Sequence, residues 1–256
     1  VLRTAQTHEG GAFMKKKQIL YSSVTIFVLW LALALLDRRG IIPPPGNVIF
    51  YMSTHWARLM QHLSMSFFRI CIAIFATMIC GTAVGILSAR HTKADVIITP
   101  LLYAFYPVPK IAFLPLLMLF FGLGNTSKIL LVGLILFFQI AIAVRDGVKH
   151  IPEGYFLTVR PFHPNTLQLY RHVILPALLP QLFTALRVSV GTSISVLFFA
   201  ENFATQYGIG YFIMDSWLKL DYSAMFAGII AISFMGAFIF LLIDLSEKHF
   251  CRWRLL

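Results

Sequence analysis

The sequence predicts an all-α, polytopic membrane protein with six transmembrane helices, and three observations carry that expectation. Of its 256 residues 59% are hydrophobic and 12% charged, against about 45–50% and about 25% in an ordinary soluble domain. Phe alone occurs 24 times and the mean hydropathy is +0.81, more apolar surface than a water-soluble core of this size can hide. The basic residues punctuate long hydrophobic blocks and form no stripe on a polar domain, so the net charge of +11 points to basic loops between spans and not to a nucleic-acid partner. The same numbers exclude a disordered chain, and three cysteines exclude a disulfide scaffold.

A spanning helix needs about 20 predominantly apolar residues. Six blocks qualify: residues 19–36, 70–89, 96–121, 129–144, 181–200 and 225–243. The third is long and interrupted by Pro100, Pro107, Pro109 and Pro115, and the fifth carries Arg187. With the N-terminus inside, one face collects 13 Lys and Arg and the other five: Arg38, Arg39, Arg58, Lys128 and Lys219. That imbalance favours both termini in the cytoplasm. Arg69, Lys110 and Arg187 lie in or at the edge of spans. Arg69 is expected to anchor at the outer interface and Arg187 to snorkel toward the inner one.

Residues 1–13 read as a leader or non-native tail, and Met14-Lys15-Lys16-Lys17 before an apolar run looks like a true start. That run is longer than a signal-peptide core and ends in Asp37-Arg38-Arg39 with no small-x-small site, so it is expected to stay as the first helix. Residues 14–66 then comprise this helix and an outer amphipathic loop. Within the loop, Pro43-Pro44-Pro45-Gly46 forbids helix. Ile49, Met52, Trp56, Leu59, Met60 and Leu63 then recur at helical spacing. This segment is either a helix lying in the interface or an early start of the second span.

Residues 145–174 form the one sizeable polar segment on the inner side. A loop this long between short-looped spans needs a reason. It is either a short amphipathic helix offered to a cytoplasmic partner or a helix lying on lipid headgroups.

Three motifs carry a family resemblance over roughly residues 43–254. Tyr106-Pro107-Val108-Pro109-Lys110-Ile111-Ala112-Phe113-Leu114-Pro115-Leu116 is similar to a Pro-x-Pro…Ala-x-x-Pro-Leu stretch. Phe121-Gly122-Leu123-Gly124-Asn125-Thr126-Ser127-Lys128 is similar to a Phe-Gly-x-Gly-x-x-Ser-Lys turn. Ala200-Glu201, Gly208-Ile209-Gly210-Tyr211 and Phe226-Ala227-Gly228-Ile229 are similar to the last two spans and their connection. The chain resembles the membrane-spanning permease of binding-protein-dependent ABC importers, of the nitrate/sulfonate/taurine type. The resemblance implies a type I importer bundle with residues 67–256 as core permease domain. It also implies a pair of permeases, homodimeric in the simplest case, two separate ABC ATPase subunits that hold ATP and Mg, and a periplasmic or lipid-anchored solute-binding protein. No cofactor is expected on this chain, and the bacterial inner membrane is the expected location.

The family's cytoplasmic motif is Glu-Ala-Ala, three residues, Gly, nine residues, Ile-x-Leu-Pro. Counting back from Leu175-Pro176 puts the Ile at Val173, the Gly at His163 and Glu-Ala-Ala at Leu157-Thr158-Val159. The acidic residue and the glycine are therefore missing. His163 does not take positive φ as cheaply as glycine, and the flanking Pro161 and Pro164 are expected to make the bend another way. Ile151, Pro152, Glu153, Phe156, Leu157, Thr158, Val159, Pro161, Phe162, His163, Leu175 and Pro176 are the candidate ATPase-coupling residues, with Phe156, Leu157, Val159 and Phe162 filling a groove on the ATPase.

For the translocation path the candidates are Pro107, Pro109, Lys110 and Pro115 in the broken third span, with Ser189, Thr192 and Ser193 from the small polar face of the fifth. Interior prolines are tolerated where freed backbone groups face protein or a watery path. Lys110 either faces such a path, where an anion would meet it, or reaches for headgroups. Gly81-Thr82-Ala83-Val84-Gly85 allows close helix approach in the second span.

No His-Glu-x-x-His, phosphate-cradling Gly-x-x-x-x-Gly-Lys, Gly-x-Ser-x-Gly or paired intramembrane Asp occurs, so neither an enzyme nor a resident metal is expected. The expected function is the membrane subunit of an ATP-driven importer for a small solute, an anion such as nitrate, a sulfonate or taurine. A secondary transporter or channel is the alternative, and it lacks acidic residues inside spans two to five for ion coupling.

Overall fold

The computed structural model describes residues 21–255, with side chains through Trp253. Residues 1–13, Met14–Lys17 and the start of the first predicted span lie outside the described residues. Among the described residues the chain is all helical, with no strand. The elements are α1 (Tyr21–Leu36), α2 (Pro45–Thr54), α3 (Trp56–Arg90), α4 (Thr92–Phe105), α5 (Leu114–Phe121), α6 (Asn125–Lys149), α7 (Glu153–Val159), α8 (Thr166–Leu169), α9 (Leu175–Glu201), α10 (Ile209–Leu218) and α11 (Tyr222–Phe250).

Four helices are long and apolar enough to cross a membrane, five when α4 and α5 count as one span bent by 91°. The remaining predicted span, the first, corresponds to α1, whose described part is shorter than the about 20 residues a crossing needs. It touches the bundle through Trp30, which stacks on Phe226 and donates to the Pro43 carbonyl at 3.1 Å. Beyond it the Asp37 carboxylate accepts from the Arg39 and Ile42 amides, which hold its pKa below the ordinary value. The outer loop divides between two helices. Pro45 starts a separate short helix, while Trp56 onward is continuous with the second span. The predicted apolar stripe is shifted, since Val48 and Leu59 are buried but Ile49 and Trp56 are exposed.

The core is built on α6. Val132, Leu136, Ile140, Val144 and Val148 recur every fourth residue and bury one stripe against α3 and α9, in a core that α11 completes from the far side of those two helices. Lipid is as apolar as these side chains, so their packing is held by close contact and not by exclusion of water. Gly81 and Gly85 supply that contact. A Cβ on Gly85 would sit 2.7 Å from the Ala141 carbonyl and from Val144, and one on Gly81 3.0 Å from Ile140. The Gly-x-x-x-Gly of the second span is thus the crossing point of α3 on α6.

The proline-rich break between α4 and α5 is closed by a lysine. Pro107 and Pro109 donate no backbone hydrogen bond, so carbonyls at the end of α4 lose their helical partners. Lys110 Nζ bonds the Phe105, Tyr106 and Val108 carbonyls at 2.5, 2.6 and 3.0 Å and lies over the Phe138 ring. Lys128 repeats the device at the start of α6, reaching the Leu123, Gly124 and Ala204 carbonyls at 3.0, 3.3 and 3.5 Å. It is only 1% exposed, although the sequence placed it among the loop charges of the outer face. Cations at such orphaned carbonyls replace the hydrogen bonds that the helix cannot make.

Adding a side chain at Gly85 pushes α3 off α6. We expect Gly85→Leu to lower the melting temperature of the purified protein in detergent, with a cost of about 1–3 kcal/mol or more. Gly46→Leu, at a site with nothing within 4 Å, leaves it unchanged.

Candidate functional site

The polar groups of the bundle collect at its two ends and along one face between them. At one end, where α6 begins and α9 finishes beside the first half of α3, sits a buried ion pair. Glu201 is 0% and Arg69 3% exposed, and Arg69 Nη1 donates to Glu201 Oε1 at 2.5 Å. Ser66 Oγ lies 2.7 and 2.9 Å from the two carboxylate oxygens and accepts the Ile209 amide at 2.8 Å. The Gly210 amide donates to Oε2 at 2.8 Å. The other edge of the guanidinium donates through Nε and Nη2 to Asn125 Oδ1 at 3.0 and 2.7 Å. Four helices therefore meet in one network: α3, α6, α9 and α10. Gly208 admits it, because a Cβ there would lie 2.5 Å from the Glu201 carboxyl carbon and 2.7 Å from Arg69 Nη1.

Arg69 is thus no interface anchor, as the sequence suggested. A fixed carboxylate across the helix interface makes burial cheaper than reaching for water. Arg187 also differs from expectation. It donates to Asp244 at 2.7 Å and pairs with Glu247, both on α11, and so ties α9 to α11 instead of snorkelling alone. Sequence reasoning left these pairs unmade, yet the signal was present. Arg69 and Glu201 are opposite charges at span ends on the same side of the bundle.

At the opposite end, Lys149 and Arg145 of α6 bond both oxygens of Asp95 on α4, at 2.5 and 3.0 Å. The segment from α6 to α9 follows. Phe156 is half-buried against the core and under the Arg90 guanidinium, 5.4 Å from its ring centroid. Ile151, Leu169 and Tyr170 pack inward with it. Leu157 and Phe162 project outward, 54% and 82% exposed, beside exposed Tyr155 and Leu167. Pro152 and Glu153 start α7, Thr158 is exposed, and Val159 is half-buried beside Phe162 around a small cavity of about 280 Å³. Of the four residues expected to fill a partner's groove, Leu157 and Phe162 project outward, Phe156 packs against the core and Val159 is half-buried.

The bend is made at His163 itself, with φ 45° and ψ 53°. Pro161 and Pro164 flank it and do not spare it the left-handed conformation. Pro164 disfavours the right-handed helical region for the residue before it. The His163 ring Nδ1 lies 3.1 Å from the Pro161 carbonyl, a local contact that stands in for glycine's freedom. Asn165 and Gln168 then form a reciprocal capping box at 2.8 and 2.9 Å. The helix passes through a π-turn over Tyr170–Ile174 into Leu175-Pro176, which relieves the clash of the proline ring with the preceding turn.

Along the face between the ends, the α4–α5 break meets α6 and α9. A cavity of about 440 Å³ there is bordered by Tyr106, Pro109, Lys110, Gln139 and Ser195. A second of about 340 Å³ continues past Tyr106 and Gln139 to Gln181 and Thr184. Pro107 and Pro115 are exposed close by. Thr192 is exposed, Ser193 faces the packed side, 0% exposed and donating to the Ser189 carbonyl, and Ser189, 1% exposed, borders the second cavity. Lys110 is only 8% exposed and already saturated by its three carbonyls. Gln139, Gln181, Thr184 and Ser195 were missed, although Gln139 is the only polar side chain in residues 129–144. Among the described residues no group of His, Cys, Asp and Glu could hold a metal ion.

A family model described as the binding-protein-dependent transport system inner membrane component matches residues 81–253. The taurine transport system permease protein TauC of Escherichia coli (strain K12) is 31% identical over 93% of this chain and 90% of its own length. A Bacillus subtilis (strain 168) protein, provisionally named an aliphatic sulfonates transport permease, SsuC, is 30% identical over 84% and 78%. Among solved structures, a chain of the MetNI methionine ABC transporter in an inward-facing conformation superposes with a TM-score of 0.57. It shares 20% identity, over 79% of this chain and 96% of that one.

The buried pair has a direct test. Removing one partner leaves an uncompensated charge at a cost of about 3–5 kcal/mol. We expect Glu201→Met and Arg69→Met each to lower the denaturant midpoint strongly, with the double variant Arg69→Met/Glu201→Met less damaging than either. Additive losses in that double-mutant cycle would mean that the pair is not coupled.

Proposed function

The chain belongs to the family of binding-protein-dependent transport system inner membrane components, and on that premise we propose how it couples and what it carries. It is a multi-pass membrane permease of the ABC importer type and not an enzyme. In the proposed arrangement two copies enclose one path along the α4–α5, α6 and α9 face. Two separate ATPase subunits, which bind ATP and Mg, dock on residues 151–176. A solute-binding protein delivers a small sulfonate-type solute, of the class that the names of the taurine and sulfonate relatives indicate, to the end that holds Arg69 and Glu201. Residues 145–174 and both termini then face the cytoplasm. Domain 67–256 acts as the permease core, with residues 14–66 as its first helix and outer loop.

The observation that carries this reading is the outward apolar ridge of Leu157, Phe162 and Leu167 on a segment anchored from behind by Phe156, Ile151 and Leu169. An apolar ridge beyond the bundle's end, held rigidly, suits a partner protein's groove. Closure of the ATPases on ATP would move this segment as a body, and α6 and α9, continuous with it, would swing with it. Access would thereby alternate between the two sides without any chemistry on this chain.

Two measurements test the reading. Leu157→Asp or Phe162→Asp would bury an unpaired charge in the docking groove, costing about 3 kcal/mol or more, about a hundredfold in affinity. Solute-stimulated ATP hydrolysis and co-purification of the ATPase should both fall, and unchanged hydrolysis in both variants would refute docking here. His163→Gly, which removes a left-handed strain of about 1–2 kcal/mol, should keep or improve coupling. For orientation, single cysteines at Thr92, His150 and Arg252 on a cysteine-free background should resist an impermeant thiol reagent in intact cells. Cysteines at Asn47 and Gln206 should react, and the reverse pattern would invert the topology.

A further inference from the structure

α11 ends in cations that its own carboxylates leave unmatched. Asp244 stands four residues before Lys248, the spacing and order at which an acid and a lysine pair well along a helix. That pair is not made. The Arg187 guanidinium takes Asp244 at 2.7 Å and takes Glu247 as well. Among the described residues Lys248 and Arg252 meet no carboxylate, and both are exposed. The cations of α6 at the same end of the bundle, Arg145 and Lys149, are by contrast both spent on Asp95.

The helix itself sets the depth of this cluster. Residues 225–243 carry no charge, and α11 runs on to Phe250. At 1.5 Å per residue Lys248 stands about 8 Å past Ile243, the last residue of the uncharged stretch. The headgroup layer of a bilayer is roughly 5–8 Å deep on each side. Lys248 therefore stands at the level of the lipid phosphates, and Arg252 follows just past the helix end. Lys248 and His249 lie in the last turn, where a cation also meets the helix dipole, but that attraction fades within the turn and does not hold Arg252 beyond it. Phe250 and Trp253 flank the cations, 56% and 48% exposed, and tryptophan favours the membrane boundary. Cys251 is buried in the core and donates its amide to the Glu247 carbonyl at 2.7 Å, which fixes the turn with its neighbours outside.

We propose that the tip of α11, residues 248–253, binds the headgroup of an anionic phospholipid, with Lys248 and Arg252 meeting its negative charge and Phe250 and Trp253 lying against the upper end of its chains. The site needs only that α11 crosses the bilayer, and so stands apart from the importer reading. A basic residue at the surface favours anionic lipid by about fivefold, and two together by about thirtyfold. A zwitterionic headgroup brings an ammonium along with its phosphate, so its net attraction to the two cations is smaller. An acidic protein segment would answer the same charge, but headgroup depth and the aromatic flank favour lipid. Arg187 creates the site indirectly, because the acids it holds are the ones that would otherwise neutralise Lys248.

Native mass spectrometry of the full chain purified in detergent tests the site. The protein is offered phosphatidylglycerol and phosphatidylcholine with identical chains at equal concentration, and the first bound lipid is identified. Phosphatidylglycerol should be preferred by about tenfold or more, and Lys248→Gln/Arg252→Gln should cut that preference by about fivefold or more. Lys248→Arg/Arg252→Lys should keep it. Arg38→Gln/Arg39→Gln removes the same charge from exposed positions before α2 and should leave it unchanged. An unchanged melting temperature shows that each variant is folded. No preference in the unmutated chain, or an equal fall in both glutamine pairs, would overturn the site. Displacement of the bound lipid by glycerol 3-phosphate at the same concentration would overturn it as well, since a free phosphate would then suffice and the aromatic flank would contribute nothing.

Discussion

The Arg69–Glu201 pair is the constraint on which the arrangement of the bundle depends. Lipid offers the helices no hydrophobic reason to associate, so a slide of one helix along another costs little unless a polar contact is lost. This network supplies such contacts for four helices at once. Glu201 closes α9, Arg69 and Ser66 come from α3, Asn125 opens α6, and the Ile209 and Gly210 amides open α10. Shifting any one helix by a single turn, about 5 Å, would leave at least one buried charge or amide without a partner. A buried ion pair is weak support for stability in general, and its better-attested use is to fix register. On the importer reading, register is what the moving bundle must keep.

The same economy governs the breaks. A helix interrupted by Pro107 and Pro109 exposes carbonyls that lipid cannot satisfy. Lys110 and Lys128 answer with the same reach, back to carbonyls four and five residues earlier. A lysine so placed serves as a cap, so its charge is already committed when a solute arrives. The two buried lysines therefore belong to the structure of the turn, and the open polar chemistry falls to neutral side chains beside them.

Much of the fold was legible because membrane helices announce themselves. Charge-free runs marked α3, α6 and α11, prolines marked the α4–α5 break, and Gly81 and Gly85 marked the α3–α6 crossing. What the sequence could not express was pairing. A lone Arg at the edge of a span reads as an anchor until the chain brings Glu201 beside it, and Arg187 reads as snorkelling until Asp244 faces it. In the segment between α6 and α9, position singled out candidate residues but not their direction, because seven residues of α7 are too few for a periodicity to separate Phe156 from Leu157. Gln139 was legible in principle, as the one polar residue of an apolar block, but bordering a cavity is a property of several helices together.

The two ends of the bundle are joined by two continuous helices, α6 with no interior proline and α9 with one, Pro180. α9 runs from Leu175-Pro176 to Glu201, about 40 Å, and α6 returns from Asn125 to the residues that hold Asp95. The flexible devices, a π-turn and a left-handed His163, lie outside this pair, in the connecting segment. On the importer reading, that placement decides what moves. The segment can adjust its fit to an ATPase locally, whereas any larger displacement must travel along α6 and α9 as stiff rods to the Arg69–Glu201 network. A packed network with one set of partners does not yield gradually. It holds or it exchanges partners, so the displacement is delivered to the far end as a discrete step. The joined cavities at Tyr106 and Gln139 lie between the two ends, beside the one span already broken. That is where a step carried by the rods would open one side of the path and close the other.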